Sequence, residues 1–381
     1  MDAPLYEQIY NYIFHKIAAG ELQPGDRVPS EKELSDQFNV SRITSKKALE
    51  TLSANQLIER VQGKGSFVAT KLPNLRDIRP LGKDNESGAK EKTNGNGKWK
   101  VVGVILPDFA DSYGLRLLHG IEERCSELGC RMFMKLTYDK IEEEQSAIRS
   151  FIDLGVDGFV VFPVHGEHYN AELLRLVLDK YPLVLIDRYL KGIAACAVYT
   201  DNRKSAFDLT NVLLAGGHRR IGFISAPAEN TSTIEDRIQG FTDAFIHLGM
   251  SVKPEHFMTN LYSSLPRSFE AKNINIDAET VRRFVEMNPE LTAFVAAEYN
   301  LALILREVLI SMGKRIPDDY QIVCFDSPDE PFGKHFFTHV RQNESAMGRM
   351  AVDLLDAQWR KEEVPLHSII PYEVRAGTST K

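Results

Sequence analysis

Residues 22–69 read LQPGDRVPSEKELSDQFNVSRITSKKALETLSANQLIERVQGKGSFVA. Pro24-Gly25 marks a turn. Ser30-Glu31-Lys32-Glu33 has the spacing of a capping box, in which a hydroxyl and a carboxylate three residues apart satisfy free amides at a helix start. The helix that it opens buries Leu34 and Phe38, and Asn39-Val40 breaks it. Ser41 caps a third helix, Arg42 to about Ala54, with Ala48, Leu49 and Leu52 inward. Two short runs, Leu57–Val61 and Ser66–Ala69, flank Gly63-Lys64-Gly65 and predict a hairpin. Upstream, Leu5, Ile9, Ile13 and Ile17 recur every four residues and place one apolar stripe on a first helix, which Gly20 stops. Three helices and a hairpin make a winged helix-turn-helix over residues 1–70.

The composition then changes. Residues 71–98 end in KDNESGAKEKTNGNGK, almost free of apolar side chains. Such a stretch cannot bury enough surface to offset its ordering entropy, so it reads as a flexible linker. Residues 99–381 alternate apolar runs with helix-length segments. The runs are Val101–Leu106, Arg131–Leu136, Gly158–Phe162, Leu183–Ile186, Ile221–Ser225, Ala293–Ala296 and Ile322–Phe325. Strand-helix-strand alternation gives parallel sheets covered by helices, and this length suits two α/β lobes. The fold class expected is therefore α/β, with the winged head joined by its linker to a two-lobed domain. Ligands of open α/β sheets bind beyond the carboxyl ends of the strands, so the residues just after each strand are the ones to read for function.

The chain has 381 residues and a formal net charge of −7. That charge argues against a protein that coats nucleic acid over its whole surface, and it permits a local basic patch. Cys125, Cys130, Cys196 and Cys324 form no CxxC pair, which predicts free thiols and no metal or other cofactor. The start, Met-Asp-Ala-Pro, lacks the layout of a signal peptide, and no apolar run approaches a membrane span. A cytoplasmic location without membrane contact is expected. Gly63-Lys64 also brings a phosphate loop to mind, but Ile58 and Gly65 stand where that pattern needs glycine and Ser or Thr.

The head resembles the GntR family of winged-helix regulators. The matching residues are Leu22–Leu34, Val40-Ser-Arg-Ile-Thr44, Lys47-Ala-Leu49, Leu57-Ile-Glu-Arg60 and Gly63-Lys-Gly-Ser-Phe-Val68. The body resembles the LacI family of sugar-responsive repressors, which share their fold with periplasmic sugar-binding proteins. Its matching pieces include Val102–Asp108, Gly155-Val-Asp-Gly158, Val184-Leu-Ile-Asp-Arg188, Gly217-His-Arg-Arg-Ile-Gly-Phe223, Arg237-Ile-Gln-Gly-Phe241, Phe325-Asp326 and Val340-Arg-Gln342. The pairing implies a regulator that binds double-stranded operator DNA as a homodimer and answers to a small sugar. A repressor released by a neutral pentose such as L-arabinose is the first reading. A sugar acid, a sugar phosphate or another ligand acting as co-repressor or activator is the second.

A recognition helix must offer donors to base edges and cations to phosphates. Arg42, Thr44, Lys46 and Lys47 stand on the first two turns of the third helix, and Arg42 suits a bidentate contact to guanine. Lys46 takes a position where the family often has Arg, exchanging a planar fork for a point charge. The resemblance places Lys32 on the DNA backbone, and Lys64 and Gly65 at the wing tip. In the body, a sugar needs carboxylates to accept, a guanidinium to donate and a ring against its C–H face. Asp108, Phe109 and Tyr113 follow the first strand. Asp187-Arg188, Arg237 and Asp326 match ligand contacts of the family. Where the family has Asn-Asp, this chain has Glu298-Tyr299, which reshapes the pocket. Asp201-Asn202 is expected to cap the next helix. His165 and His168 form HxxH without a third ligand, which argues against a metal. A sugar-processing enzyme is the remaining reading. Asp187 and Asp326 could be forced into that role, but nothing singles out a nucleophile and the head would have no purpose.

Overall fold

The computed structural model describes residues 5–18, 20–61, 65–72, 99–165, 170–330 and 333–381. Lys64, His168 and nearly all of the segment read as a linker lie outside the described residues. The chain divides into two units, Met1–Lys98 and Trp99–Lys381.

In the first unit, α1 (Leu5–Ala18), β1 (Arg27–Val28), α2 (Glu31–Phe38), α3 (Arg42–Ala54), β2 (Ile58–Val61) and β3 (Gly65–Val68) follow in order. The capping box forms as read: Ser30 N donates to Glu33 Oε2 at 2.7 Å and Glu33 N to Ser30 Oγ at 3.3 Å. Asn39 ends α2 in the left-handed region at φ 52°, and Ser41 Oγ accepts from Thr44 N at the start of α3. Ile9, Tyr10, Ile13, Leu34, Leu49 and Leu52 make the core, where the Tyr10 hydroxyl accepts from Asn55 Nδ2 at 2.8 Å. The hairpin gains a strand that the sequence reading lacked: β1 pairs antiparallel with β3, giving the order β1-β3-β2.

The second unit opens with β4 (Val101–Leu106), α4 (Leu115–Glu127), β5 (Arg131–Leu136), α5 (Ile141–Asp153), β6 (Gly158–Val161), α6 (Ala171–Leu178), β7 (Leu183–Ile186) and β8 (Cys196–Thr200). The chain then enters a second lobe through α7 (Asn202–Ala215), β9 (Ile221–Ile224), α8 (Ser232–His247), β10 (Phe257–Met258), α9 (Ala271–Met287), β11 (Ala293–Ala296), α10 (Tyr299–Ser311), β12 (Gln321–Phe325) and β13 (Thr338–Gln342). It returns to the first lobe for α11 (Glu344–Trp359) and β14 (His367–Ile370), and to the second for β15 (Tyr372–Arg375).

Each lobe holds one six-stranded sheet. The first, β14-β8-β7-β6-β4-β5, is parallel throughout. The second, β10-β9-β11-β12-β13-β15, is parallel except for its last pair. All seven runs read from the sequence are strands. Five more complete the sheets: β8, β10, β13, β14 and β15. Because α11 and β14 come from the far end of the chain, the two lobes are tied by three passages of backbone, between β8 and α7, between β13 and α11, and between β14 and β15.

Helix packing beneath the sheets is close. A Cβ on Gly120 of α4 would stand 2.3 Å from Ser345 O, and one on Gly348 of α11 would stand 2.4 Å from Leu117 O. Gly240 of α8 meets Arg203 O of α7 in the same way, at 1.9 Å. Backbones approach there because no side chain separates them.

Candidate functional site

A cavity of about 330 Å³ opens between the lobes at the carboxyl ends of the strands. Its walls hold all eight residues expected to meet a ligand: Asp108, Phe109, Tyr113, Asp187, Arg188, Arg237, Glu298 and Asp326. Each lobe supplies one acid directly after a strand. Asp187 follows β7 at φ 67° and Asp326 follows β12 at φ 63°. Both sit in the left-handed region, which costs an ordinary residue energy and turns the chain sharply off the sheet edge. Both carboxylates are buried.

The guanidiniums are held from behind. Arg237, on α8, donates from Nε to Asn202 Oδ1 at 2.8 Å and from Nη1 to Ala297 O at 2.6 Å, and it stacks on the Phe325 ring. Nη2 makes neither of these bonds. Arg188 donates from Nη1 to Pro163 O at 2.9 Å and lies over the Phe162 ring. It also stands 4.0 Å from Asp187, the local ion pair that the adjacent acid and base suggest. The Tyr113 hydroxyl donates to Asp187 Oδ1. Asp108 turns one oxygen back onto Phe109 N at 2.9 Å.

Burial dominates the electrostatics. It pushes the Asp326 carboxyl up to about 8, against the pull of Arg237 and with a further push from Glu344. Asp187 is raised by the same cause, opposed by Arg188. Tyr113 is lifted well above the phenol range by burial and by the Asp187 charge. Several buried polar atoms of this wall have no hydrogen-bond partner: Arg188 Nε, Ser264 Oγ, Glu298 Oε2 and Gln342 Oε1. A buried polar atom without a hydrogen bond is costly, so one donor, one hydroxyl and two acceptors on this wall suit a polar ligand.

Sequence reading missed part of the wall. Gln342, at the end of β13, donates from Nε2 to both oxygens of Asp326 at 3.1 and 3.2 Å. Of the pair Asp201-Asn202, expected to cap this helix, Asp201 is the cap, accepting from Lys204 N, while Asn202 is buried and orients Arg237. Ser264, Leu265, Pro266, Arg267 and Phe269, from the segment between β10 and α9, also line the cavity. Only the last of these groups left no mark in the sequence, being a loop without a motif.

The lobes touch on more than one side of the cavity. His165 Nε2 meets Pro227 O at 2.7 Å, and the Tyr189 hydroxyl donates to Asp236 Oδ2 at 3.1 Å. Lys191 pairs with Glu235. Arg116 bridges Glu344 and Asp329, at 2.5 and 3.3 Å. Among the described residues no group of three or more His, Cys, Asp or Glu could hold a metal.

In the head, Lys32, Arg42 and Gly65 share one groove with Arg60 and Ser66. Arg60 is anchored to Glu31 at 2.5 Å. Lys46 lies 3.8 Å from Glu50. Lys47 leans the other way, its ammonium 4.1 Å from the centre of the Tyr6 ring on α1. Thr44 Oγ1 bonds Ser41 Oγ at 2.9 Å.

The family comparisons agree with this layout. Residues 5–68 match the model for bacterial regulatory proteins of the gntR family, and residues 210–380 match a periplasmic binding protein-like domain. The chain joins a GntR-type head to a periplasmic binding protein-like body. It is 28% identical to an arabinose metabolism transcriptional repressor of Geobacillus stearothermophilus, over 92% of this chain and 90% of that one. It is 26% identical to the protein of that description in Halalkalibacterium halodurans, over 84% and 80%. Among solved structures, the regulator CcpA of Lactococcus lactis superposes with a TM-score of 0.64 at 20% identity, covering 74% of this chain and all of its own. A GntR regulator of Chromobacterium violaceum gives 0.61 at 19%, covering 74% and 99%. Both relatives are described as transcriptional repressors, and with the gntR match over residues 5–68 this chain is a transcription regulator. No helix among the described residues is long and apolar enough to cross a membrane.

Proposed function

We propose that this regulator represses sugar-utilisation genes and leaves its operator when a small neutral sugar closes the body. One observation carries the reading. Asp187 and Asp326 stand at strand ends of the two sheets and frame one cavity with Arg188 and Arg237, while Glu298 Oε2, Gln342 Oε1 and Arg188 Nε lack hydrogen-bond partners. A polyol supplies donors and acceptors for all of these at once. Tyr113 and Phe162 add rings for its C–H face. L-Arabinose is the sugar that the 28% identical relative's description favours.

The head reads operator DNA with Arg42, Lys32 and Lys46, and with the wing at Lys64 and Gly65. Arg60 joins them through the groove it shares with Arg42. Two heads on a homodimer match a two-fold operator, because one small head buries too little DNA for high specificity. The protein works inside the cell, where its DNA is.

A sugar acid or phosphate is the second reading, since Arg188, Arg237 and Arg267 all line the cavity. Asp108, Asp187 and Glu298 on the same walls oppose an anion and favour the neutral sugar. Titration calorimetry of the whole protein against neutral pentoses, sugar acids and sugar phosphates, with operator binding followed in parallel, tests both. Heat from the acids or phosphates alone selects the second reading, and binding of none of them rejects both.

A further inference from the structure

The deep and shallow parts of the cleft differ in chemistry. Asp187, Arg237, Asp326 and Gln342 are buried and polar. The shallower wall comes from the segment after β10 and from the start of α10: Leu265, Pro266, Phe269 and Tyr299 are apolar or aromatic, and Phe269 is 44% exposed. An exposed ring at the mouth of a ligand cavity has apolar area still to bury.

This segment is built to stay over the cavity. Asp277 Oδ2 accepts from Tyr262 N at 3.0 Å and Ser263 N at 2.7 Å, fixing its root to α9. Its far side reaches the other lobe, where the Arg267 guanidinium lies 3.4 Å from the centre of the Tyr138 ring. Ser264 Oγ is buried on the cavity wall without a hydrogen-bond partner. The lobes touch at His165–Pro227, Tyr189–Asp236 and Arg116–Asp329 around the cavity of about 330 Å³. Cavities of roughly 300–1,000 Å³ take drug-sized ligands, and a lone pentose is well below that size.

We infer that the cleft has an outer subsite, formed by Ser264, Leu265, Pro266, Phe269 and Tyr299, and that the effector is a glycoside whose second ring occupies it. The inner sugar ring meets the charged floor. The ring carried on its anomeric oxygen lies between Phe269 and Tyr299, and a hydroxyl or ring oxygen of the ligand partners Ser264 Oγ. The inference rests on the sugar reading above and goes beyond it to the length and the apolar face of the ligand.

The test is titration calorimetry on the full chain with matched probes: L-arabinose, D-xylose, D-glucose and D-galactose, each beside its 4-nitrophenyl glycoside and a disaccharide that ends in the same sugar. For the sugar that binds, the glycoside or the disaccharide is expected to bind at least about tenfold tighter than the free sugar, the scale on which one well-stacked ring acts. Tightening by both probes assigns a general ring platform. Tightening by one alone says which second ring the subsite takes, and either result supports the subsite. Phe269→Ala is expected to bring that ratio close to one, and Phe269→Tyr to restore it. Phe269 is outside the core, so its truncation leaves the fold intact. Equal affinities within the sets, exclusion of both longer probes, or a ratio that survives Phe269→Ala overturns the outer subsite and leaves the sugar reading standing. Silence of every probe overturns the sugar reading, and the subsite with it.

Discussion

Two residues carry most of the chemistry that can be tested singly. Arg42 is exposed at the first turn of α3 and faces the groove that also holds Lys32 and Arg60. A bidentate arginine–guanine contact contributes about 1–3 kcal/mol of discrimination. Arg42→Ala is therefore expected to weaken operator binding and to flatten base preference, measured by binding to operators changed one base pair at a time. An unchanged base preference places the reading helix elsewhere. Asp326 gives a pH test. Its folded value of about 8 lies above that of an unfolded aspartate, so the native state holds a proton that the unfolded chain has lost. Below about pH 4 both states are protonated and the group has no effect on stability. Stability then falls as pH rises from about 4 to 8, and the loss is complete above 8. Asp326→Asn removes this ionisation while keeping an acceptor for Gln342. Calorimetric melting should show the variant gaining most over the wild type at pH 8.5 and little at pH 4. An equal gain at both would assign its effect to packing alone.

At the scale of elements, the pairs α4–α11 and α7–α8 cross with backbone against backbone. Gly348→Ala would drive a methyl to 2.4 Å from Leu117 O, and the neighbour is main chain that cannot swing aside. Overpacking of this kind costs about 1–3 kcal/mol. The denaturation midpoint of the body should drop accordingly, with operator recognition by the head retained at low temperature. A midpoint that does not move would mean that the helices separate freely. The same elements explain what could be read in the sequence. Runs such as Val101–Leu106 and Leu183–Ile186 were legible because central parallel strands are apolar on both faces. The strand Cys196–Thr200 is nearly as buried, but it lies close after β7 with no helix between, so the alternation gave no signal. His367–Ile370 and Tyr372–Arg375 lie at sheet edges with mixed polar patterns and belong to different lobes, which only the long-range topology decides. The site follows the same division. Asp187, Arg188 and Asp326 were legible because they end strands. The roles of Gln342 and Asn202 depend on residues 16 and 35 positions away, and the cavity loop at 264–269 carries no pattern of its own.

For the molecule as a whole, the two lobes are joined by three backbone passages and meet at the cavity, so a ligand held by both favours their closed arrangement. Arg237 is the residue proposed to express that preference. It sits on α8, is fixed by Asn202 from α7 and by Ala297 after β11, and presents what remains of its guanidinium to the cavity. A ligand shifts an equilibrium only by the difference between its affinities for the two states, and couplings of this kind are typically about 1–3 kcal/mol. Saturating effector is thus expected to lower operator affinity roughly 5–150-fold. The composition of residues 71–98, rich in Gly, Asn and Lys, argues for transmission through the dimer of bodies rather than through a rigid rod. Arg237→Ala removes the donor to the ligand while leaving the head's sequence untouched. The variant should bind operator in the absence of effector and fail to release it, a constitutively repressing phenotype, when titrated with fluorescent operator across a range of effector concentrations. Release by Arg237→Ala at the wild-type effector concentration would falsify the assignment of this arginine to the ligand. Monomer alone in equilibrium sedimentation on a palindromic operator would remove the dimer through which the signal is proposed to pass.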